Sequence, residues 1–216
     1  MSLRLALELA GFAAVIAADA FGLVPLSLTV GLLPAVWLLM RLAREPWAAI
    51  GWSRPARLGR TLLLGIAVGL GLELLAVHVT TPWISGLFGV EPDYSDFEFV
   101  RGNLAALGVI LVLNWLLAAF GEEFCFRGFL MHRLARVFGG GRAAWVLALL
   151  LASVVFGWMH SEQRLSGAVQ EGLSGLLLGA LYLGAGRNLV LPMVAHGMSN
   201  SLAFALIYLG RYPGQT

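Results

Sequence analysis

Gly121-Glu122-Glu123-Phe124-Cys125-Phe126-Arg127-Gly128-Phe129-Leu130 is the stretch on which the fold turns. It follows the apolar run from Leu104 to Phe120, whose only strongly polar side chain is Asn114. In lipid, two adjacent carboxylates and an arginine are costly: one charge at mid-bilayer costs roughly 3 kcal/mol on insertion scales. A helix offers a remedy for part of that charge. Glu123 and Arg127 are i and i+4 with the acid on the N-terminal side, the orientation that pairs best. Glu122 is turned about 100° away and lies outside that pair. A free carboxylate inside a membrane marks a functional site by default. The bland alternative is a buried ion pair beside a protonated spare glutamate.

The surrounding composition supports a membrane setting. Of 216 residues, 59% are hydrophobic and only 12% charged, and the mean hydropathy is +0.85. Soluble domains are nearer 45–50% apolar and about 25% charged. The expected fold class is therefore all-α: a polytopic transmembrane helix bundle of about seven spans (six to eight), each needing ~20 residues. No internal repeat or linker divides residues 1–216, which read as a single integral membrane domain. The pI near 9.1 comes from arginines gathered in loops. That pattern suits the positive-inside rule, and no nucleic-acid partner is expected. The single Cys125 makes no internal disulfide and leaves the redox compartment open.

The expected spans run in order. Leu3 to Phe21 is a retained first span interrupted by Glu8 and Asp19, despite a superficial likeness to a cleaved leader. Gly22 to Met40 follows, with Pro25 and Pro34 inside it. Arg41 to Arg60 is a basic cytoplasmic loop with tryptophan anchors. Thr61 to Thr81 crosses, carrying Glu73 and His78, and the acidic segment Pro82 to Arg101 falls outside. The span beginning at Gly102 carries the central motif, and its basic end, Arg133 and Arg136, is expected to project past the headgroups. Ala143 to His160, Gly167 to Leu183 and Asn188 to Leu209 complete the bundle. The N-terminus is expected inside, in a prokaryotic plasma membrane, with the site opening to the cytoplasm.

Three of these spans bring polar residues to one depth. Gly139-Gly140-Gly141 signals a turn, with Glu122 18 residues before Gly140 and His160 20 after it. In an antiparallel hairpin the two side chains stand at nearly the same level, given ~1.5 Å rise per residue. His196 lies about ten residues, ~15 Å, beyond the Arg187 turn. His196 and Asn200 share a helix face, as do Phe156 and His160. Gly157, Ala195, Gly197 and Ser201 permit close helix approach. Taken alone, each residue has an ordinary explanation: a histidine on a backbone carbonyl, an asparagine bridging helices, Glu73 and Glu171 lining a cavity. Cys125 has no thiolate-stabilising partner beyond Arg127.

Glu122-Glu123-x-x-x-Arg127, then Phe156-x-x-x-His160, then His196-x-x-x-Asn200 on successive spans resembles the CPBP family of CAAX prenyl endopeptidases and Abi-like, bacteriocin-processing membrane proteins. The likeness covers about residues 103–205; residues 1–100 match only as accessory hydrophobic spans. It implies an intramembrane endopeptidase in which Glu122 and His160 activate water, His196 and Asn200 hold the oxyanion or a metal, and Glu123 and Arg127 give structural support. No cofactor is required on the preferred reading. The alternative is a divalent metal, zinc first, held among Glu122, His160, His196 and Asn200. The implied partner is a peptide or protein substrate, with membrane-anchored and lipidated chains both admissible. Competing readings are a non-catalytic immunity or chaperone-like protein and a proton-coupled transporter. The intact motif set argues against the first, and the lack of inverted repeats against the second.

Overall fold

The computed structural model describes residues 2–213, which are helical throughout apart from turns and connecting loops. Seven helices follow in order: α1 (Leu3–Ala20), α2 (Leu28–Ala43), α3 (Leu58–Phe88), α4 (Leu104–Val137), α5 (Arg142–Trp158), α6 (Arg164–Gly184) and α7 (Val190–Tyr208). The architecture is an all-α polytopic bundle. Among the described residues α3, α4 and α7 are long and apolar enough to cross a membrane singly. The segments Arg142–Trp158 and Ser161–Gly184, bent by 62° at their junction, qualify as a pair, and α2 is a shorter apolar helix. Their outer faces carry bare apolar side chains, among them Leu63, Val112 and Val154, the surface that hydrocarbon accepts.

Local chemistry sets the helix ends. The Ser2 and Ser27 hydroxyls and the Asn103 amide oxygen cap α1, α2 and α4 by accepting backbone N–H bonds that a first turn leaves over. Two boundaries differ from the sequence expectation. The chain is non-helical just before Leu28, where Pro25 cannot join a helix, so the second span starts late. The third helix continues past Pro82 to Phe88. The turn before that proline, Ala76–Thr80, is widened to the i→i+5 pattern, which relieves the clash and the missing donor that a proline introduces. The same wide pattern covers Asn114–Leu130, so the central motif lies in a π-type stretch where an ordinary α-helix was expected.

Small residues let the helices close up. A Cβ on Gly69 would run into the carbonyl oxygen of Ala195, so α3 and α7 touch backbone to backbone. Gly157 backs onto Ala168 and Gly172, and Gly179 faces Leu149. These contacts run in opposite order along α5 and α6, which therefore pack antiparallel. Between the helices lies an aromatic core: the Phe12 ring meets the Phe126 ring edge-on at 5.8 Å and stacks with that of Phe129 at 5.9 Å.

One end of the bundle is basic and is closed by ion pairs. Arg133 is fully buried within the protein. Its guanidinium meets Glu8 Oε2 at 2.7 Å and Glu45 Oε2 at 2.8 Å, and lies 4.6 Å from the centroid of the Phe129 ring. Arg4 and Arg136 complete the network on Glu45. The interruption of the first span by Glu8 thus has a partner on α4, 125 residues on by number, which no local pattern could reveal. Burial alone would raise the Glu45 carboxyl. The hydrogen bond from Arg136 and the charge and hydrogen bond of Arg133 outweigh it and hold the group below its ordinary 4.5. A depressed carboxylate stabilises the fold above its unfolded value and loses that contribution as pH falls through the folded one. The gap in detergent unfolding temperature between wild type and Glu45→Gln should therefore narrow as pH drops below 4.5. A gap that widens instead would contradict this network.

The other end is acidic. Asp93 pairs with Arg164 at 2.8 Å, the Tyr94 ring meets that of Tyr212, and the Phe97 ring meets that of Phe204. The segment between α3 and α4 is thereby strapped over the ends of α6 and α7.

Candidate active site

A cavity of about 750 Å³ lies among α3, α4, α5, α6 and α7. Its wall includes Glu122, His160, His196 and Asn200. At one end the wall reaches Asp19, Leu26, Asp96, Phe97, Glu162 and Gln163, all from the acidic end of the bundle, and no residue of the Arg133 network takes part. Arg4, beside the N-terminus, belongs to that network. The cavity and the Arg133 network thus lie toward opposite ends of the bundle. The reason is local: His160 follows the last turn of α5 and leads directly into the Ser161–Gln163 turn, so the site sits toward the acidic end.

Glu123 organises the interior of the site and is fully buried. Its Oε1 forms an ion pair with Arg127 Nη1 at 2.8 Å and accepts a hydrogen bond from His196 Nδ1 at 2.9 Å. Arg127 is held in turn by the Gly175 carbonyl at 3.2 Å and lies 4.5 Å from the centroid of the Phe156 ring. One carboxylate therefore ties α4 to α7, and its arginine ties α4 to α5 and α6. Glu122 is left at the cavity wall, its Oε2 3.9 Å from His196 Nε2 and with no arginine partner.

The histidine tautomers follow from their bonds. His196 donates its Nδ1–H to Glu123, so in the neutral ring Nε2 is an acceptor. His160 donates its Nδ1–H to the Phe156 carbonyl at 2.8 Å, which leaves its Nε2 as the free nitrogen. The Phe156 ring lies between them, 4.8 Å from the His160 ring and 6.4 Å from that of His196. Asn200, one turn beyond His196, faces the same cavity.

Several polar contacts here were not legible in the sequence. The Glu123 to His196 bond joins residues 73 apart. Asn114 donates to the Gly197 carbonyl at 3.0 Å and to Ser201 at 3.3 Å, bracing α4 against α7. Cys125 is fully buried away from the cavity wall. Among the described residues no three His, Cys, Asp or Glu side chains converge closely enough to hold a metal ion. Two imidazole Nε2 atoms and one carboxylate are present, but Asn200 is a poor ligand for zinc and Glu123 is engaged. The donor set among the described residues does not assemble a three-ligand zinc site.

Comparison with known proteins places one match on this geometry. A family model described as Rce1-like, Type II CAAX prenyl endopeptidase Rce1-like, matches residues 104–202. That stretch runs from the start of α4 into the second half of α7 and contains Glu122, Glu123, Arg127, His160, His196 and Asn200. No curated protein and no solved structure gives a significant match to the chain.

Proposed function

We propose, from the match of residues 104–202 to the Rce1-like type II CAAX prenyl endopeptidases, that this chain is an integral membrane protease that hydrolyses a peptide bond within the cavity. One observation carries the residue assignment: of two adjacent glutamates, Glu123 is consumed by Arg127 and His196, while Glu122 faces the cavity without a cation.

Amide hydrolysis needs an activated water and donors for the tetrahedral oxyanion. A water between Glu122 and His160 donates one hydrogen to the carboxylate and the other to His160 Nε2. Glu122 takes the proton as the water oxygen attacks the substrate carbonyl, and returns it to the leaving amine as the C–N bond breaks. Asn200 donates to the oxyanion through its amide. His196 adds a second donor only when its ring is doubly protonated, because Nδ1–H is committed to Glu123. Glu123 and Arg127 fix the ring rather than touch substrate. The immunity-protein and transporter readings leave this division of labour between the two glutamates without a purpose.

Removal of metal separates the two mechanisms. Purified protein in liposomes, exhaustively chelated and assayed in metal-free buffer, should cleave peptides at an undiminished rate. Activity lost to chelator and restored by zinc would replace this mechanism with a metal-dependent one. A second experiment fixes orientation. With the basic end in the cytoplasm, the acidic segment lies outside. A cysteine at Ser95 should then react with a membrane-impermeant thiol reagent on intact cells; labelling only after lysis would invert the topology.

A further inference from the structure

Six carboxylates line the cavity, those of Asp19, Glu73, Asp96, Glu122, Glu162 and Glu171, and no arginine does. The chain has 14 arginines against 12 acids, yet half of its acids face one cavity whose only basic lining residues are His160 and His196. The arginine pairs of Glu8, Glu45, Asp93 and Glu123 lie elsewhere.

Two of the six stand beside the hydrolytic residues on facing helices. Glu73 of α3 is buried, and its oxygens accept only from neutral hydroxyls, Ser199 at 2.7 Å and Tyr212 at 3.0 Å. Glu171 of α6 lies within electrostatic reach of Glu73 and of His160. A second, independent feature adjoins them. Gln170 is buried and faces the same cavity; one end of its amide bonds the Thr80 hydroxyl at 2.7 Å, and the other end has no protein partner. Whichever way that amide is turned, a polar group is left over for an occupant. Glu73 is a buried carboxylate bonded only by hydroxyls, and Gln170 is a buried amide with one end unbonded; a protonated side chain and the peptide bond beside it would suit both.

We propose that Glu73 and Glu171 form a subsite for a basic side chain of the substrate, a lysine or arginine near the scissile bond, with Gln170 bonding the adjoining peptide backbone. This rests on the hydrolase reading and adds a substrate class to it: peptides that carry positive charge into the cavity. Long basic side chains suit such a site because their stems lie along apolar wall, here Leu72 and Ile207, while the charge reaches the acids.

The test uses full-length protein in liposomes and three peptides differing at one position, arginine, glutamine or glutamate. Wild type should favour arginine over glutamine by ~10-fold or more in kcat/KM, with glutamate poorest, as expected for a charge pair formed in a poorly solvated site. Glu171→Gln should bring the arginine-to-glutamine ratio to within about twofold of unity, and Glu171→Arg should invert it in favour of glutamate. Because Glu73 also holds Ser199 and Tyr212, the Glu171 variants serve where Glu73→Gln fails to fold. Binding of fluorescently labelled arginine and glutamine peptides to Glu122→Gln protein is measured alongside. If no peptide is cleaved but the arginine peptide binds more tightly in a Glu171-dependent way, the hydrolase reading fails and the subsite stands. Equal handling of arginine and glutamine by wild type, or an arginine preference unchanged in Glu171→Gln, overturns the subsite and leaves hydrolysis untouched.

Discussion

Glu122→Gln should lower kcat/KM by at least ~10²-fold, the low end for loss of a general base, with expression and unfolding temperature unchanged. The amide keeps the size of the side chain and removes its ability to take a proton from water. Little structure depends on the charge: Glu122 makes no arginine pair, and its Oε2 lies 3.9 Å from His196 Nε2. The stability of the variant is thus as diagnostic as its inactivity. A folded, fully active Glu122→Gln protein would remove the carboxylate from the mechanism, and an unfolded one would make Glu122 a structural residue.

Glu123→Gln should fail in the opposite way, through stability first. The substitution leaves Arg127, which is 2% exposed, without its anion. Breaking one side of a buried pair typically costs ~3–5 kcal/mol. It also weakens the acceptor that fixes the His196 ring, so activity should fall with stability. Replacing both partners separates the effects. Glu123→Gln with Arg127→Met removes the stranded charge, and such replacements often restore stability. The double variant should recover much of the unfolding temperature in detergent yet stay poorly active, because His196 has lost its carboxylate. Full activity in the double variant would reduce Glu123 to a scaffold for Arg127 alone.

These two glutamates mark how much the sequence could carry. Their division into a paired and an unpaired carboxylate follows from i,i+4 spacing, and the spacing survives although the surrounding stretch, Asn114–Leu130, adopts wider turns than an α-helix. The helix order was also legible, because apolar length and loop charge are written locally. What was hidden depends on pairs far apart in the chain. Glu8 reads as a flaw in a first span until Arg133 is seen beside it, and the burial of Arg133 against Glu8 and Glu45 is set by packing. Glu123 has a second partner, His196, that only the packing of α4 on α7 supplies. Proline 82 did not end its helix because a widened turn precedes it.

The central claim is that Glu122 activates a water for direct attack on a peptide bond. It is tested most directly by cleaving a defined peptide in ¹⁸O-labelled water with metal-free protein in liposomes, wild type against Glu122→Gln, and weighing both products. The account expects two fragments from the wild type under single-turnover conditions, with one ¹⁸O atom in the new carboxyl terminus and no mass added to the protein at any time, and no fragments above background from Glu122→Gln. A covalent adduct on the protein, or labelled fragments produced equally well by Glu122→Gln, would contradict it.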